Sequence, residues 1–176
     1  MFLKPQKRKF FRHVNSNPAG QLLEIGVGNG AHLRHYSSHR VTGIDTSIRM
    51  LNAAREHAAG NINLLQMDGE KLLFRDESFD YVVLSHVIAV VKDPDRLIGE
   101  VLRVLKPGGK VFILNHFTPD NLLGTADRMF SRVSRLLHFR SSFGMSSLDM
   151  QRFQLLSEIN ADPLSYFKIL TYEKKL

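Results

Sequence analysis

Leu22-Leu23-Glu24-Ile25-Gly26-Val27-Gly28-Asn29-Gly30 is the stretch of this chain that decides its fold. An apolar run that leads directly into alternating glycines is typical of a buried strand followed by a tight turn. A second run, Val41-Thr42-Gly43-Ile44-Asp45, predicts another buried strand that ends on a carboxylate. Together the two runs predict the first half of a nucleotide-binding strand–helix–strand unit, whose ligand carries a ribose.

The spacing of the glycines leaves two classes of ligand open. Gly26, Gly28 and Ala31 fit the dinucleotide pattern G-x-G-x-x-[GA], and Asp45 follows at the distance expected of a ribose-binding carboxylate. Glu24, however, stands two residues before the turn, where its charge would repel a pyrophosphate and attract a cationic or zwitterionic ligand. This charge argument favours S-adenosylmethionine over a nicotinamide dinucleotide.

Length and composition indicate a single domain over residues 1–176, which begins with a short basic segment at residues 1–20. The 176 residues are 43% hydrophobic, which is enough to form one core. No apolar run approaches the length of a membrane span, and the N-terminus lacks the apolar centre of a signal peptide, so we expect a cytoplasmic protein. Because the chain has no cysteine and its histidines form no H-E-x-x-H pattern, we expect no metal site.

Elements alternate along the chain in the manner of an α/β protein. The patterns predict strands at 21–26, 40–44, 63–67, 79–85 and 110–115, with helices near 30–37, 46–58, 93–105 and 120–137. The tail pairs residues 153–158 with 166–171 as a hairpin. We therefore predict a doubly wound, mostly parallel, seven-stranded Rossmann-like sheet with an antiparallel C-terminal edge hairpin.

Four motifs in order resemble those of the class I S-adenosylmethionine-dependent methyltransferases. They are the E-x-G-x-G-x-G turn from Glu24, the acidic Asp45 after the second strand, Asp68 after the third, and the Leu105-Lys106-Pro107-Gly108-Gly109 turn. Within that family, residues 85–94 and 113–117 resemble bacterial phosphatidylethanolamine N-methyltransferases, and ubiquinone and menaquinone C-methyltransferases share much of the pattern. The resemblance implies a Rossmann-like methyltransferase fold, S-adenosylmethionine as cofactor and S-adenosylhomocysteine as product.

The resemblance also implies roles for individual residues. The three glycines of the turn would cradle the methionine part of the cofactor, with Glu24 close to its positive end. Asp45 would accept hydrogen bonds from the ribose hydroxyls, because a carboxylate offers two acceptor oxygens. Ser47 and Met50 would flank the adenine, and Asp68 would accept from its amino group. The cofactor-binding residues implied are Glu24, Gly26, Gly28, Gly30, Asp45, Ser47, Met50, Asp68, Gly69 and Ser85.

Two histidines are candidates for the chemistry. His86 follows the fourth strand and His116 the fifth, at the sheet edge where open α/β sheets bind their ligands. A protonated amine cannot attack a methyl group, so a nearby imidazole that accepts the proton would assist transfer to an amine. We therefore expect His86 and His116 to be catalytic. We expect the remaining histidines to be surface or capping residues: His13, His32, His35, His39, His57 and His138.

Two basic segments suggest a membrane-surface substrate. Residues 1–14 hold five cations and residues 128–140 hold four, with no acid in either segment, so together they exceed the net charge of +7. Phe10 and Phe11 stand among the five cations of the first segment, and we expect these two side chains at a membrane-facing surface or over the site. Phe117 and residues 139–147 are further candidates for a lid over the site. Such segments attract anionic lipid, which favours peripheral contact with the inner membrane surface. Nothing in the chain resembles a nucleic-acid-reading module, so we expect no nucleic acid.

Three functions remain open from the sequence. The chain is first expected to N-methylate a phospholipid amine of the phosphatidylethanolamine type. The second hypothesis is methylation of a soluble or quinone-like small molecule at carbon or oxygen. The third is a non-catalytic, cofactor-binding partner subunit. We make no prediction of the oligomeric state from the sequence.

Overall fold

A seven-stranded sheet forms the centre of the structure, a computed structural model that describes residues 5–116, 148–161 and 167–176. Its strand order is β3-β2-β1-β4-β5-β7-β6. The first five strands are parallel, and β7 pairs antiparallel with both β5 and β6. This confirms the predicted fold. The strands are β1 (Gln21–Ile25), β2 (Arg40–Asp45), β3 (Ile62–Gln66), β4 (Phe79–Ser85), β5 (Leu105–His116), β6 (Phe153–Asn160) and β7 (Phe167–Lys174).

Three α-helices occur in the described residues: α1 (Pro5–Asn15), α2 (Ile48–Arg55) and α3 (Pro94–Val104). The side chains of Ser47 and Asp93 accept a hydrogen bond from the first turns of α2 and α3, as capping residues do. The helix predicted near 30–37 is wrong, since only a 3-10 turn, Leu33–His35, forms there. The side chains of His32 and Tyr36, on either side of this turn, bind Glu24. The helix predicted at 120–137 lies outside the described residues.

The sheet is covered on both faces, which explains the continuous apolar runs of its central strands. On one face, α3 packs Leu97 and Val101 against a core that includes Leu84 and Ile113. On the other face, α1 and α2 pack with Val83, Phe112 and Ile169. Ile25, just before the glycine turn, belongs to the first of these cores, and Val27, within the turn, belongs to the second, so both cores hold the turn.

Helix α1 buries the two phenylalanines that the sequence placed among cations. Phe10 and Phe11 are 0% and 3% exposed, and Val14 is also buried. These three residues fall on one face of a helix with a period of about 3.6 residues, and that face packs on the sheet. The expectation that Phe10 and Phe11 face a membrane or cover the site is therefore wrong, whereas Arg8, Lys9 and Arg12 of the same helix are exposed.

Two histidines attach α1 to the rest of the core. His13 Nε2 is hydrogen-bonded to Thr171 Oγ1 on β7 at 2.8 Å, and His39 Nε2 donates to the carbonyl of Val14 at 3.2 Å. Burial lowers the pKa of both histidines, and the charge of Lys110 lowers the pKa of His13 further. His39 is only 1% exposed and is not a surface residue, but its bond to the last turn of α1 confirms the alternative prediction that it caps a helix.

Helix α3 holds the long connection between β3 and β4 through one arginine. The Arg103 guanidinium donates to both carboxylate oxygens of Glu100 at 2.9 Å, to Asp76 at 2.7 Å and to the carbonyls of Leu72 and Phe74. The hydrogen bonds from Arg103 lower the pKa of Glu100. This network fixes the connection that leads from Asp68 to β4.

Candidate functional site

The strand register brings the predicted site residues to one edge of the sheet. Ile25 of β1 is aligned with Ile44 of β2 and with Leu84 of β4, and Ser85 is aligned with Leu114 of β5. The segments that follow these positions therefore emerge side by side at the carboxyl ends of the parallel strands. Open α/β sheets bind their ligands at this edge, where the order of the strands reverses.

The glycine turn has one position open to a ligand. Gly28 adopts a φ of +56°, and apart from Gly28 and its two chain neighbours no atom of the described residues lies within 4 Å of the position that a Cβ would occupy. At Gly30 a Cβ would lie 2.6 Å from Ala54 Cβ of α2, so this glycine allows the turn to pack on the helix. The turn is therefore fixed against α2 at Gly30 and accessible at Gly28, which suits close approach of a ligand to the backbone.

Asp45 is held beside this opening by two backbone groups. One carboxylate oxygen accepts from the N–H of Gly28 at 2.8 Å, and the other accepts from the N–H of Ser47 at 2.9 Å. Because each carboxylate oxygen has a second lone pair, both can still accept from vicinal hydroxyls. Ile48 and Met50, at the start of α2, are 47% and 46% exposed. A carboxylate beside open apolar surface fits a nucleoside.

Asp68 and Gly69 follow β3 at the same edge. Asp68 is exposed, and one of its carboxylate oxygens accepts from the N–H of Glu70 at 2.9 Å. Gly69 is buried, and a Cβ there would lie 2.6 Å from Ile25 Cγ2. Packing against β1 therefore requires Gly69 whether or not its backbone contacts a ligand.

Glu24 makes its contacts inside the protein. Its carboxylate is fully buried, with one oxygen 2.7 Å from His32 Nε2 and the other accepting from the Tyr36 hydroxyl at 3.0 Å. Burial, the charge of Glu24 and this hydrogen bond raise the pKa of Tyr36 well above its usual value. His32 is 6% exposed and its side chain caps no helix, so the prediction that it is a surface or capping residue is wrong. The proximity of Glu24 to a ligand stays a prediction.

His86 occupies the end of β4 in a strained backbone conformation. Its φ is +60°, in the left-handed region, and its N–H donates to the carbonyl of Leu114 at 2.8 Å. Its ring meets the ring of Phe167 edge to face, with 5.7 Å between centroids. Such strain is maintained only where surrounding contacts enforce it, and it concentrates at functional sites. Ser85, the preceding residue, is partly buried.

The backbone of His116 pairs with Phe167 at the end of β5. Phe167 therefore adjoins both of the histidines that were predicted to be catalytic, through its ring at His86 and through its backbone at His116. Phe117, residues 128–140 and residues 139–147 lie outside the described residues.

Sequence reasoning missed a buried amide at this edge. Asn115 is 3% exposed, and its Nδ2 has no hydrogen-bond partner among the described residues. It stands on β5 immediately before His116. The signal was available, because Asn115 directly follows the apolar run at 111–114 where β5 reaches the ligand-binding edge.

Comparisons with known proteins agree with this geometry. The family described as "Methyltransferase domain" matches residues 23–113. A phosphatidylethanolamine N-methyltransferase of Cereibacter sphaeroides is 35% identical, and the alignment covers 96% of this chain and 87% of that protein. A ubiquinone/menaquinone biosynthesis C-methyltransferase of Desulfotalea psychrophila is 39% identical over 106 residues, which cover 57% of this chain and 43% of that protein.

Solved structures show the same fold. A putative methyltransferase of Bacillus halodurans superposes with a TM-score of 0.78 at 16% identity, over 97% of this chain and 99% of that chain. Within the described ranges, no helix is both long enough and apolar enough to cross a membrane.

Proposed function

The chain belongs to the class I S-adenosylmethionine-dependent methyltransferases, and we propose that it N-methylates a phospholipid amine of the phosphatidylethanolamine type at a membrane surface. One observation carries the choice of acceptor. The similarity to the Cereibacter sphaeroides enzyme extends over 96% of the chain and therefore continues well beyond the matched domain at residues 23–113. Ubiquinone/menaquinone biosynthesis C-methyltransferases of three Shewanella species also extend beyond that domain, over 86% of this chain. Their identity is 29–32%, and the alignment covers only 63% of their own length, against 87% of the Cereibacter sphaeroides protein.

The family implies S-adenosylmethionine as cofactor, and the open backbone at Gly28 fits such a ligand. In this proposal Asp45 accepts hydrogen bonds from the ribose hydroxyls, and Met50 offers its exposed thioether to the adenine. Asp68 accepts from the adenine amino group. The cofactor supplies an electrophilic methyl group on a sulfonium.

His86 serves the acceptor in this proposal. The imidazole lies at the end of β4, next to the cofactor strand β1 in the sheet, and its backbone and ring are both held in place. An alkylammonium has no free electron pair, so His86 accepts a proton from the amine and leaves it able to attack. His116, at the end of the adjacent β5, is the second candidate for this role.

The exposed cations of α1 support contact with an anionic surface. Arg8, Lys9 and Arg12 are exposed on the helix whose apolar face packs on the sheet. Each such cation contributes about 1 kcal/mol near a charged bilayer. Membrane attraction through α1 is therefore electrostatic and needs no inserted aromatic side chain.

The acceptor is tested by incubating the protein with radiolabelled S-adenosylmethionine and vesicles that contain phosphatidylethanolamine. We expect labelled monomethyl lipid. A demethylated menaquinol offered in parallel tests the second candidate, C-methylation of a quinone-like molecule, which the 39% identity to the Desulfotalea psychrophila enzyme favours. Label in the quinol and none in the lipid would refute the proposed acceptor and show that the protein methylates the quinol.

Vesicle pelleting tests the membrane contact separately. We expect Arg8→Gln/Arg12→Gln to weaken binding to anionic vesicles by about tenfold or more, on the basis of about 1 kcal/mol per cation. Lys71→Gln/Arg75→Gln is the charge-matched control, because both residues are exposed cations on the connection between β3 and β4. Equal loss in both variants would show a general effect of net charge and no role for α1.

A further inference from the structure

A buried polar cluster closes the base of the glycine turn. Glu24 lies two residues before the first glycine and His32 two residues after the last, and their side chains meet at 2.7 Å. Their side chains are 0% and 8% exposed. The second carboxylate oxygen accepts from Tyr36 at 3.0 Å. One carboxylate therefore joins the segment that enters the turn to the segment that leaves it.

Helix α1 holds the rings of this cluster in place. Phe11 stacks on His32, with 5.2 Å between centroids and an interplanar angle of 18°, and meets Tyr36 edge to face at 5.1 Å. Phe11 is itself 3% exposed. The orientation of both donors to Glu24 is thus set by a helix that comes from outside the nucleotide-binding unit.

The energetics give no reason to retain this cluster for stability alone. Removing a carboxylate from water costs several kcal/mol, and its partners only approximately repay that cost. Apolar side chains of similar volume often stabilise such a position equally well. The position of the cluster offers another reason, because residues 25–31, which it brackets, include the open approach at Gly28.

Two carboxylates hold this turn from opposite sides. Asp45 binds its apex through the Gly28 N–H, in a partly buried position at the ligand edge. Glu24 binds its base from inside the core. We propose that Glu24, His32 and Tyr36 are positioning residues that fix the glycine turn in its cofactor-binding conformation. The inference rests on the cofactor assigned under the proposed function, and it does not depend on the methyl acceptor.

The test separates positioning from stability by removing all three polar groups together. In the variant Glu24→Met/His32→Leu/Tyr36→Phe no partner is left unpaired, so we expect a folded protein with a cooperative thermal transition. Calorimetric titration with S-adenosylhomocysteine should nevertheless show a Kd raised by about tenfold or more, equivalent to about 1.4 kcal/mol. Binding within about twofold of the unsubstituted protein would overturn the inference.

Tyr81→Phe is the matched control. Tyr81 belongs to the same core, and its hydroxyl donates to the carbonyl of Pro18 at 3.0 Å, away from the turn. Its loss should leave the Kd within about twofold. An equal rise in Kd in this control would show that any lost core hydrogen bond weakens binding, and would also overturn the inference.

A second pair keeps Glu24, whose own contact with the cofactor stays a prediction, and therefore tests positioning by itself. The same pair covers the case in which the triple variant does not fold. His32→Gln keeps a side-chain N–H donor, whereas His32→Leu has none. We expect the glutamine variant to bind S-adenosylhomocysteine about tenfold more tightly than the leucine variant. Equal affinities would refute the role of the hydrogen bond. Failure of the unsubstituted protein to bind S-adenosylhomocysteine would instead refute the cofactor assignment, and the inference with it.

Discussion

Replacing His86 by glycine or by alanine tests whether its backbone strain is real and whether its ring takes part in the reaction. Both variants lose the ring contact with Phe167, so that loss cancels in their comparison. Alanine at a φ of +60° keeps the left-handed penalty of about 1–2 kcal/mol, whereas glycine does not. Glycine loses about 0.5–1 kcal/mol through the greater freedom of the unfolded chain. The glycine variant should therefore be more stable than the alanine variant by about 1 kcal/mol.

This order reverses the one found at ordinary positions, where alanine is the more stable residue. Urea denaturation measures the difference directly, and in thermal melts it corresponds to about 2–4 °C for a chain of this size. Glu77 provides a control, because its φ of +54° predicts the same order of stability at a position away from the site. An alanine variant at least as stable as the glycine variant at position 86 would refute the strain argument.

Turnover of the same two variants tests the ring. If His86 accepts the proton of the acceptor amine, both substitutions should lower turnover by about 100-fold or more, the usual contribution of a general base. The Kd for S-adenosylhomocysteine should change by no more than about threefold. Unchanged turnover in both variants would exclude the imidazole from the reaction, and the substitutions at Glu77 should leave turnover as it is.

Three further predictions concern the turn and the effect of pH. Gly28→Ala should raise the Kd for S-adenosylhomocysteine by about tenfold or more, at a stability cost of about 1–2 kcal/mol. Gly30→Ala should lose more stability than Gly28→Ala in denaturation, because a Cβ at position 30 would overlap Ala54. Arg103 lowers the folded pKa of Glu100, so the stability that this carboxylate contributes is complete above about pH 4.3 and is lost as pH falls through the folded pKa. In acid denaturation, Glu100→Gln should therefore lose less stability over this range than the unsubstituted protein. Burial lowers the folded pKa of His13, so stability falls as pH drops below about 6.5, and His13→Gln should reduce that fall in urea titrations from pH 7 to 5.

The sequence predicted the sheet well because its strands are buried on both faces and end in distinctive residues. Four of the five predicted parallel strands lie within one residue of those observed; β5 begins earlier, at Leu105. Parallel pairing then forces Gly26, Asp45 and His86 to one edge, so the site could be located without coordinates. Contacts between distant segments were harder to predict. The helix expected near 30–37 competes with the bonds from His32 and Tyr36 to Glu24, which no local pattern shows.

One other wrong prediction and one feature that was not predicted have a similar origin. Phe10 and Phe11 stand among cations in the linear sequence, but the helix separates them onto its buried face. The positive φ of His86 depends on how β4 leaves the sheet and has no composition signal, although histidine tolerates this conformation better than most residues do. Local patterns therefore identified where the site lies, whereas tertiary contacts determined how its side chains are held.

The two backbone N–H groups that bind Asp45 have a consequence for affinity. Since Gly28 and Ser47 each occupy one oxygen, the carboxylate group cannot rotate freely about its Cβ–Cγ bond. The entropy of ordering this side chain is thus lost during folding, and an incoming diol meets acceptors that already point in fixed directions. Selectivity for vicinal hydroxyls then follows from the rigidity of the carboxylate. A deoxyribose analogue should therefore lose more affinity at this site than it would at a site whose aspartate rotates freely.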